Sequence, residues 1–265
     1  MALTTVKGSV LENRSPYGFY TTQNAVDTLY DVDISVGACW DTTRSVWIEG
    51  AAMTKQLDAA WAAGTNAGFL DTGTVASSTA YHIFVMINEL DGSVDYIASL
   101  SNNWAGVTKP TNYTKGQIIG FVPRSTVILN FNWSGNSCHI NYPHLFVNDT
   151  TITDGVYENY NCFAAPDNSI AEIMCFGTNG TTSTPDMDVY LAYADGNLGS
   201  AGSGQIVSGV DLTAGVSVQQ TMGVGLVLTN NSGQIKAAVT EPSGSATLRL
   251  YLRSFTMPYR LEATS

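Results

Sequence analysis

The run Leu57-Asp58-Ala59-Ala60-Trp61-Ala62-Ala63-Gly64, then Gly68-Phe69-Leu70-Asp71-Thr72-Gly73, then Tyr81-His82-Ile83-Phe84-Val85-Met86-Ile87 sets how the rest of the chain is read. Leu57, Ala60 and Trp61 fall at i, i+3 and i+4, one face of a helix. Thr54 stands where an N-cap belongs and Gly64 where a helix stops, so the spacing predicts a short helix over 54–64. Residues 68–73 read as a loop. Asp91-Gly92 is a positive-φ turn pair, which predicts an antiparallel hairpin between 81–88 and 93–99. Residues 117–122 supply the next strand.

Working outward, 31–36 (Asp31-Val32-Asp33-Ile34-Ser35-Val36) alternates polar and apolar with period two, and 45–48 and 124–131 follow suit. The second half reads as strands at 138–141, 145–147, 171–176, 188–193, 216–221, 224–229, 234–240 and 246–255. Asn230-Asn231-Ser232-Gly233 sits where a hairpin loop belongs. Residues 196–209 are Gly- and Ser-rich and read as an exposed loop or linker. Many short strands at close spacing predict an all-β chain, an antiparallel β-sandwich of jelly-roll type with one short helix. Residues 1–28 have weak periodicity and read as an extended N-terminal arm that anchors to a neighbouring subunit. Residues 29–265 form the sandwich, as one body or as two lobes divided near 131–140.

A chain of 265 residues buries about 70–75% of its unfolded surface, enough for a core without staples. Charged residues are 12% of the chain, where about 25% is usual. The solvated face must then be Ser, Thr, Asn and Gly, with few of the lysines that guard strand edges. Such edges call for neighbouring subunits. The 22 acidic residues against 11 basic give a charge of −11, and binding of nucleic acid needs clustered cations. The nearest approach to a cluster is Arg249, Arg253 and Arg260, best read as local salt-bridge partners. Nucleic acid is therefore not an expected partner.

Cys39, Cys138, Cys162 and Cys175 show no CxxC spacing and sit among apolar neighbours, as buried thiols do; a Cys138–Cys162 bridge is the alternative. The first seven residues lack the apolar run of a secretory signal, so synthesis in a cytoplasm is expected. No apolar run approaches ~20 residues, so no membrane insertion is expected. Six Asn-x-Ser/Thr triplets, at Asn13, Asn112, Asn132, Asn148, Asn179 and Asn230, follow from an Asn- and Thr-rich composition.

Chemistry-bearing patterns are sparse. His82 lies within an apolar strand, and Cys138, His139 and His144 have no common zinc spacing. Asp31 with Asp33, and Asp186 with Asp188, each share a strand face, as a hydrolytic carboxylate pair or a calcium site requires, but solvated strand carboxylates account for them. Asp195-Gly196-Asn197 reads as a turn. There is no GxSxG elbow, P-loop or dinucleotide fingerprint. No catalytic residue, cofactor or metal is expected. Of 27 aromatic residues (13 Tyr, 9 Phe, 5 Trp), Trp104, Tyr113, Trp133, Tyr157 and Tyr160 lie in polar stretches. These five are the candidate contacts to a glycan or a protein partner, with capping of the sandwich ends as the plainer alternative.

From residue 17 to 122 the chain resembles a module of tailed-bacteriophage tail-fibre and virion-associated structural proteins. In that family an Asp-x-Asp-Ile strand precedes a Leu-Asp-Ala-Ala-Trp-Ala-x-Gly segment, a Gly-x-Leu-Asp-Thr-Gly loop, a Tyr-His-x-Phe strand, an Asp-Gly-type turn and an Asn-Tyr segment before an Ile-Gly strand. The matching residues are 31–34, 57–64, 68–73, 81–84, 91–92 and 112–120. Gly116-Gln117-Ile118-Ile119-Gly120 departs from the pattern, since relatives carry basic residues before the glycine. The resemblance implies a non-enzymatic virion protein: a tail-fibre or tail-tip component for host attachment, homotrimeric as fibre symmetry favours, held to other virion proteins through its arm. A capsid decoration or head-fibre protein is the first alternative, and a glycan-cleaving depolymerase the second.

Overall fold

The computed structural model describes residues 15–151, 153, 155–162, 169–178, 188–194, 208–209, 220–230, 232–240 and 247–257. The chain divides into two compact units, Met1–Asn136 with Tyr259–Ser265, and Ser137–Pro258. Both are all-β, and the single helical element among the described residues is a 3₁₀ turn at Trp104–Gly106.

The first unit contains β1 (Tyr17–Gly18), β2 (Thr21–Gln23), β3 (Asp31–Ile34), β4 (Gly37–Trp40), β5 (Trp47–Gly50), β6 (Met53–Ala60), β7 (Ala67–Leu70), β8 (Tyr81–Asn88), β9 (Val94–Ser99), β10 (Tyr113–Val122) and β11 (Phe131–Ser134). A three-stranded sheet, β1-β4-β5, accompanies a seven-stranded sheet ordered β10-β8-β9-β7-β6-β3-β2. Core between the sheets is built on Phe19 and Tyr96, whose rings meet edge to face at 5.9 Å. The Tyr96 hydroxyl donates to Ala51 O at 2.6 Å. The large sheet curls until its ends approach. Thr21 Oγ1 on β2 lies 3.5 Å from Phe121 O on β10, and the Trp133 indole N–H donates to Thr21 Oγ1 at 2.9 Å.

The second unit contains β12 (Ser137–Asp149), β13 (Glu158–Asn161), β14 (Ile170–Thr178), β15 (Asp188–Tyr193), β16 (Ser208–Gly209), β17 (Gln220–Leu228), β18 (Gln234–Thr240) and β19 (Thr247–Thr256). Its strands lie in the orders β12-β19-β14-β17 and β13-β18-β15-β16. Leu248, Leu250 and Leu252 alternate inward along β19, as in–out patterning on an antiparallel sheet requires.

The predicted helix over 54–64 is not formed. Residues 53–60 are strand β6, antiparallel to β3 with Asp31 opposite Gln56, and parallel to β7. Thr54 caps nothing: its hydroxyl donates to Asp33 Oδ1 at 2.6 Å. A helix this short is marginal in water, whereas two partner strands satisfy the backbone on both sides. The inward alternation is Lys55 and Leu57, and a lysine at an inward position disguises it. The predicted loop 68–73 likewise begins inside β7.

Residues 17–23, placed in the arm by their weak periodicity, belong to the sheets instead: β1 pairs with β4 and β2 with β3. The remainder of the arm, 1–14, lies outside the described residues. The expected strand over 124–131 is a single bridge between Arg124 and Ile128. Around Asn230 the turn is real, with Gly233 N donating to Asn230 O at 3.0 Å. It joins β17 to β18 in a different sheet, so it is not a hairpin. The Asp91-Gly92 hairpin forms as expected, with Gly92 at φ +75° and the β8/β9 register running from His82–Ser99 to Ile87–Val94. The Gly/Ser-rich 196–209 run lies almost wholly outside the described residues. All four cysteines are buried and none forms a disulfide.

Candidate functional site

Of the five aromatics expected at a recognition surface, Trp104, Tyr113 and Trp133 lie in the first unit and Tyr157 and Tyr160 in the second. Trp104 is only 9% exposed. Its indole N–H donates to Thr114 O at 3.1 Å, its ring lies against Phe84 at 5.8 Å, and Lys109 Nζ stands 4.9 Å from its centroid. A Cβ at Gly116 would come within 2.7 Å of that ring, so the glycine makes room for the tryptophan. Tyr113 is also buried, edge-on to Trp61 at 5.4 Å. Trp133 is half-buried at the seam described above. In the second unit Tyr157 and Tyr160 are half-buried. The Tyr160 hydroxyl donates to Asp149 Oδ2 at 2.8 Å and lies 3.3 Å from Glu158 Oε2. Burial and the two carboxylates push that hydroxyl's pKa up. Burial also raises Asp149, but bonds from Thr151 N–H and the Tyr160 hydroxyl outweigh it and hold the carboxyl below its usual range. An acid held ionised is poorly suited to donate a proton.

The most exposed aromatic among the described residues is one the sequence did not single out. Tyr142 is 77% exposed, carried by an irregularity in β12 where the register jumps between His139 and His144. Its signal was Pro143, since a proline inside a strand marks a break in the ladder. Trp40 and Trp47 were also passed over. They face each other across β4 and β5 at 5.2 Å, half-buried.

Beneath that pair, Asp41 organises the β4–β5 turn. It accepts from Ser45 N at 2.6 Å, Val46 N at 2.7 Å and Thr43 N at 3.2 Å. Burial raises its pKa, but the bond from the Thr43 hydroxyl, and after it these main-chain bonds, prevail and lower it overall. A depressed carboxyl contributes stability above its unfolded value of 3.8, and that contribution is lost as pH falls through and below it. Asp41→Asn is expected to cost about 1–3 kcal/mol at pH 7. It should also flatten the acid limb of the stability profile, as read by urea melts between pH 7 and pH 3.

The first unit's buried charges form a second group. Lys55 and Asp95, 0% and 3% exposed, pair at 3.0 Å. Lys55 Nζ also donates to Ala62 O at 2.7 Å and Gly64 O at 3.1 Å. Asp95 accepts from Gly64 N at 2.7 Å and Tyr96 N at 2.6 Å. All three ammonium donors are thus engaged, two on the main chain of the 61–66 return. That return joins strands β6 and β7, which run parallel, where a dozen or more residues is usual. Desolvation lowers the Lys55 pKa, and Asp95 opposes it. Arg124 is also buried and donates to Ala76 O and Thr126 O, both at 2.6 Å, with Tyr30's ring at 5.6 Å. These cations hold loops.

Asp31 and Asp33 share a face as expected. Asp31's pKa is raised by burial and then by Asp27, Asp58 and Asp33, while Asp33 accepts from Asn24 and Thr54. Asp186 and the Asp195-Gly196-Asn197 turn lie outside the described residues, as does Arg260. Arg253 pairs with Glu172 at 3.2 Å, and Arg249 donates to Asn148 at 3.0 Å. Among the described residues no group of three or more His, Cys, Asp or Glu side chains is placed to hold a metal. No helix among them is long and apolar enough to cross a membrane.

No protein-family model and no curated protein matches the chain. Among solved structures, the chain has low similarity to the VP2 subviral particle of infectious bursal disease virus, at 11% identity and a TM-score of 0.27 over 98% of this chain and 77% of that one. The T13 viral particle of the same virus aligns at 12% identity and a TM-score of 0.22, over 97% and 75%.

Proposed function

We propose that the chain is a non-enzymatic structural protein of a tailed-bacteriophage virion, a homotrimeric tail-fibre or tail-tip subunit that presents loops to the host surface. The observation that carries this reading is the use made of buried polar groups in the first unit. Lys55, Asp95 and Arg124 are among the buried titratable groups of the kind an enzyme draws on, and each is engaged with main-chain atoms. The ordered run of motifs over 31–122 supports the same reading, as does the low-charge surface. Host contact belongs on open side chains such as Tyr142 rather than on Trp104 or Tyr113.

Immunogold labelling of intact particles with antibody to this chain is expected to mark tail fibres or the tail tip. Gold on capsid facets would replace the tail with a decoration role. Release of reducing ends from purified host polysaccharide would overturn the non-enzymatic reading.

A further inference from the structure

The outer face of the β1-β4-β5 sheet gathers three aromatic rings around one carboxylate. Two glycines fix which face is the inner one. A Cβ at Gly37 would meet the Phe19 ring at 2.5 Å, and one at Gly50 would meet Tyr96 Oη at 2.5 Å. Cys39 and Ile48, both 0% exposed, lie on that same side. The alternate residues therefore point outward. The register sets them in two rows, Tyr17, Ala38 and Glu49 in one and Trp40 with Trp47 in the next. Side chains directly opposite stand about 4.5–5.5 Å apart at Cβ, and diagonal neighbours about 7–8 Å. Tyr17 is 56% exposed, Glu49 is exposed and the two indoles are half-buried, while Ala38 adds only a methyl between them. The indoles meet at 69° and 5.2 Å, a corner rather than a stack, so the ring that offers its edge does not spend its π faces on the pair. The Trp47 indole N–H donates to Glu49 Oε1 at 2.9 Å, which holds a carboxylate at the rim of that corner.

We infer that this face binds a quaternary ammonium group of the choline type. The face alone carries the inference, which goes beyond the tail assignment and does not depend on it. A cation over a ring is held by the negative π face, and tryptophan holds it best. A compact primary ammonium is strongly hydrated and loses much of that gain to desolvation, whereas a methylated one does not. Charge points the same way. Glu49 supplies a counter-charge bonded to one wall of the corner. The chain carries 22 acidic residues against 11 basic, so its field draws cations and repels anions. The turn beyond the pair holds Asp41 and Arg44, which are opposite in sign. An anionic sugar or a nucleotide would meet the Glu49 carboxylate, and a neutral apolar guest would gain nothing from it. The cross-strand indole pair also steadies the β4–β5 hairpin, but that role requires neither Tyr17 nor a carboxylate fixed beside the rings. Free choline, a choline-bearing polymer and a phosphatidylcholine headgroup share this chemistry, and titration separates them.

Choline chloride is titrated into the full chain, with sodium chloride at equal ionic strength as the blank, and read by calorimetry and indole fluorescence. Saturation with a Kd of roughly 1 mM is expected for one ammonium group on two or three rings and a carboxylate. The neutral tert-butyl analogue of choline has the same shape without the charge and should bind at least about tenfold more weakly. Glu49→Gln and Tyr17→Leu should each weaken choline by about three- to tenfold with far-UV circular dichroism unchanged. Trp40→Leu should abolish saturation. Phosphocholine and phosphatidylcholine vesicles are titrated in parallel. Co-sedimentation with the vesicles assigns the group to a bilayer headgroup, binding of phosphocholine alone assigns it to a soluble or polymer-borne one, and either result keeps the site. No saturation by choline up to ~10 mM, equal binding of the neutral analogue, or wild-type affinity in both Glu49→Gln and Tyr17→Leu would overturn it. If Trp40→Leu fails to fold, those two exposed positions decide.

Discussion

Lys55→Met is expected to destabilise the first unit by about 3–5 kcal/mol, because it leaves the Asp95 carboxylate buried without its cation. The side chains are close in length, so lost packing is a small part of the effect. Asp95 keeps its bonds from Gly64 N and Tyr96 N, but Ala62 O and Gly64 O lose the ammonium that satisfies them. For a unit of this size the shift corresponds to about 10–20 °C in Tm. Urea denaturation followed by tryptophan fluorescence reads it directly, since the Trp61 ring lies 5.8 Å from Lys55 Nζ. The companion variant Lys55→Met/Asp95→Leu removes both charges and is expected to recover much of the loss. A cost under about 1 kcal/mol for Lys55→Met, the range of an exposed pair, would show that the pair does not hold the 61–66 return.

Gly68→Ala is the second large effect, and it arises from contact distance alone. A Cβ at position 68 would stand 1.9 Å from Ala60 O and 2.8 Å from Ala60 C, both main-chain atoms that no rotamer change can move. The backbone of β6 or β7 must shift, which breaks the pairing of Ala60 with Leu70 and the bond from Trp61 N to Leu70 O. About 3 kcal/mol or more is expected, the upper end for overpacking. Gly64→Ala is the control. Its φ of +92° imposes strain, but nothing lies within 4 Å of the added methyl, so about 1 kcal/mol is expected. Lys55 and Gly68 support the same return, so the double variant Lys55→Met/Gly68→Ala should lose less than the sum of the two.

The all-β class was legible because its signal is distributed. Period-two runs at 31–34 and 247–256 and the continuous apolar run at 81–88 each declare a strand, and Asp91-Gly92 declares the turn that follows the last of these. Residues 54–64 failed for a local reason. Alanine-rich spacing suggests a helix, while the partners that make it a strand, β3 and β7, come from elsewhere in the chain and cannot be weighed in a window. Lys55 concealed the alternation, because a lysine is ordinarily read as solvent-facing. The burial of Trp104 and Tyr113 was hidden for the same reason. Trp104 sits among asparagines in sequence, yet Gly116, Phe84 and Thr114 O, all distant in the chain, close around it. Trp40 and Trp47 were visible as two aromatics, but not as a pair on one face. That required the register of β4 with β5.

The burial of the four cysteines gives the protein two internal reporters. Burial, and then Asp41, pushes the Cys39 thiol up to about 12, and burial alone does the same for Cys175. A thiol in that state is both shielded and protonated, and a thiol reagent needs the exposed thiolate. Labelling therefore waits for the surrounding structure to open, and its rate measures the free energy of opening when reclosing is fast. Cys39 belongs to the first unit, while Cys138, Cys162 and Cys175 belong to the second. Peptide mapping of a single labelling time course would separate the opening of one unit from that of the other, with no residue introduced.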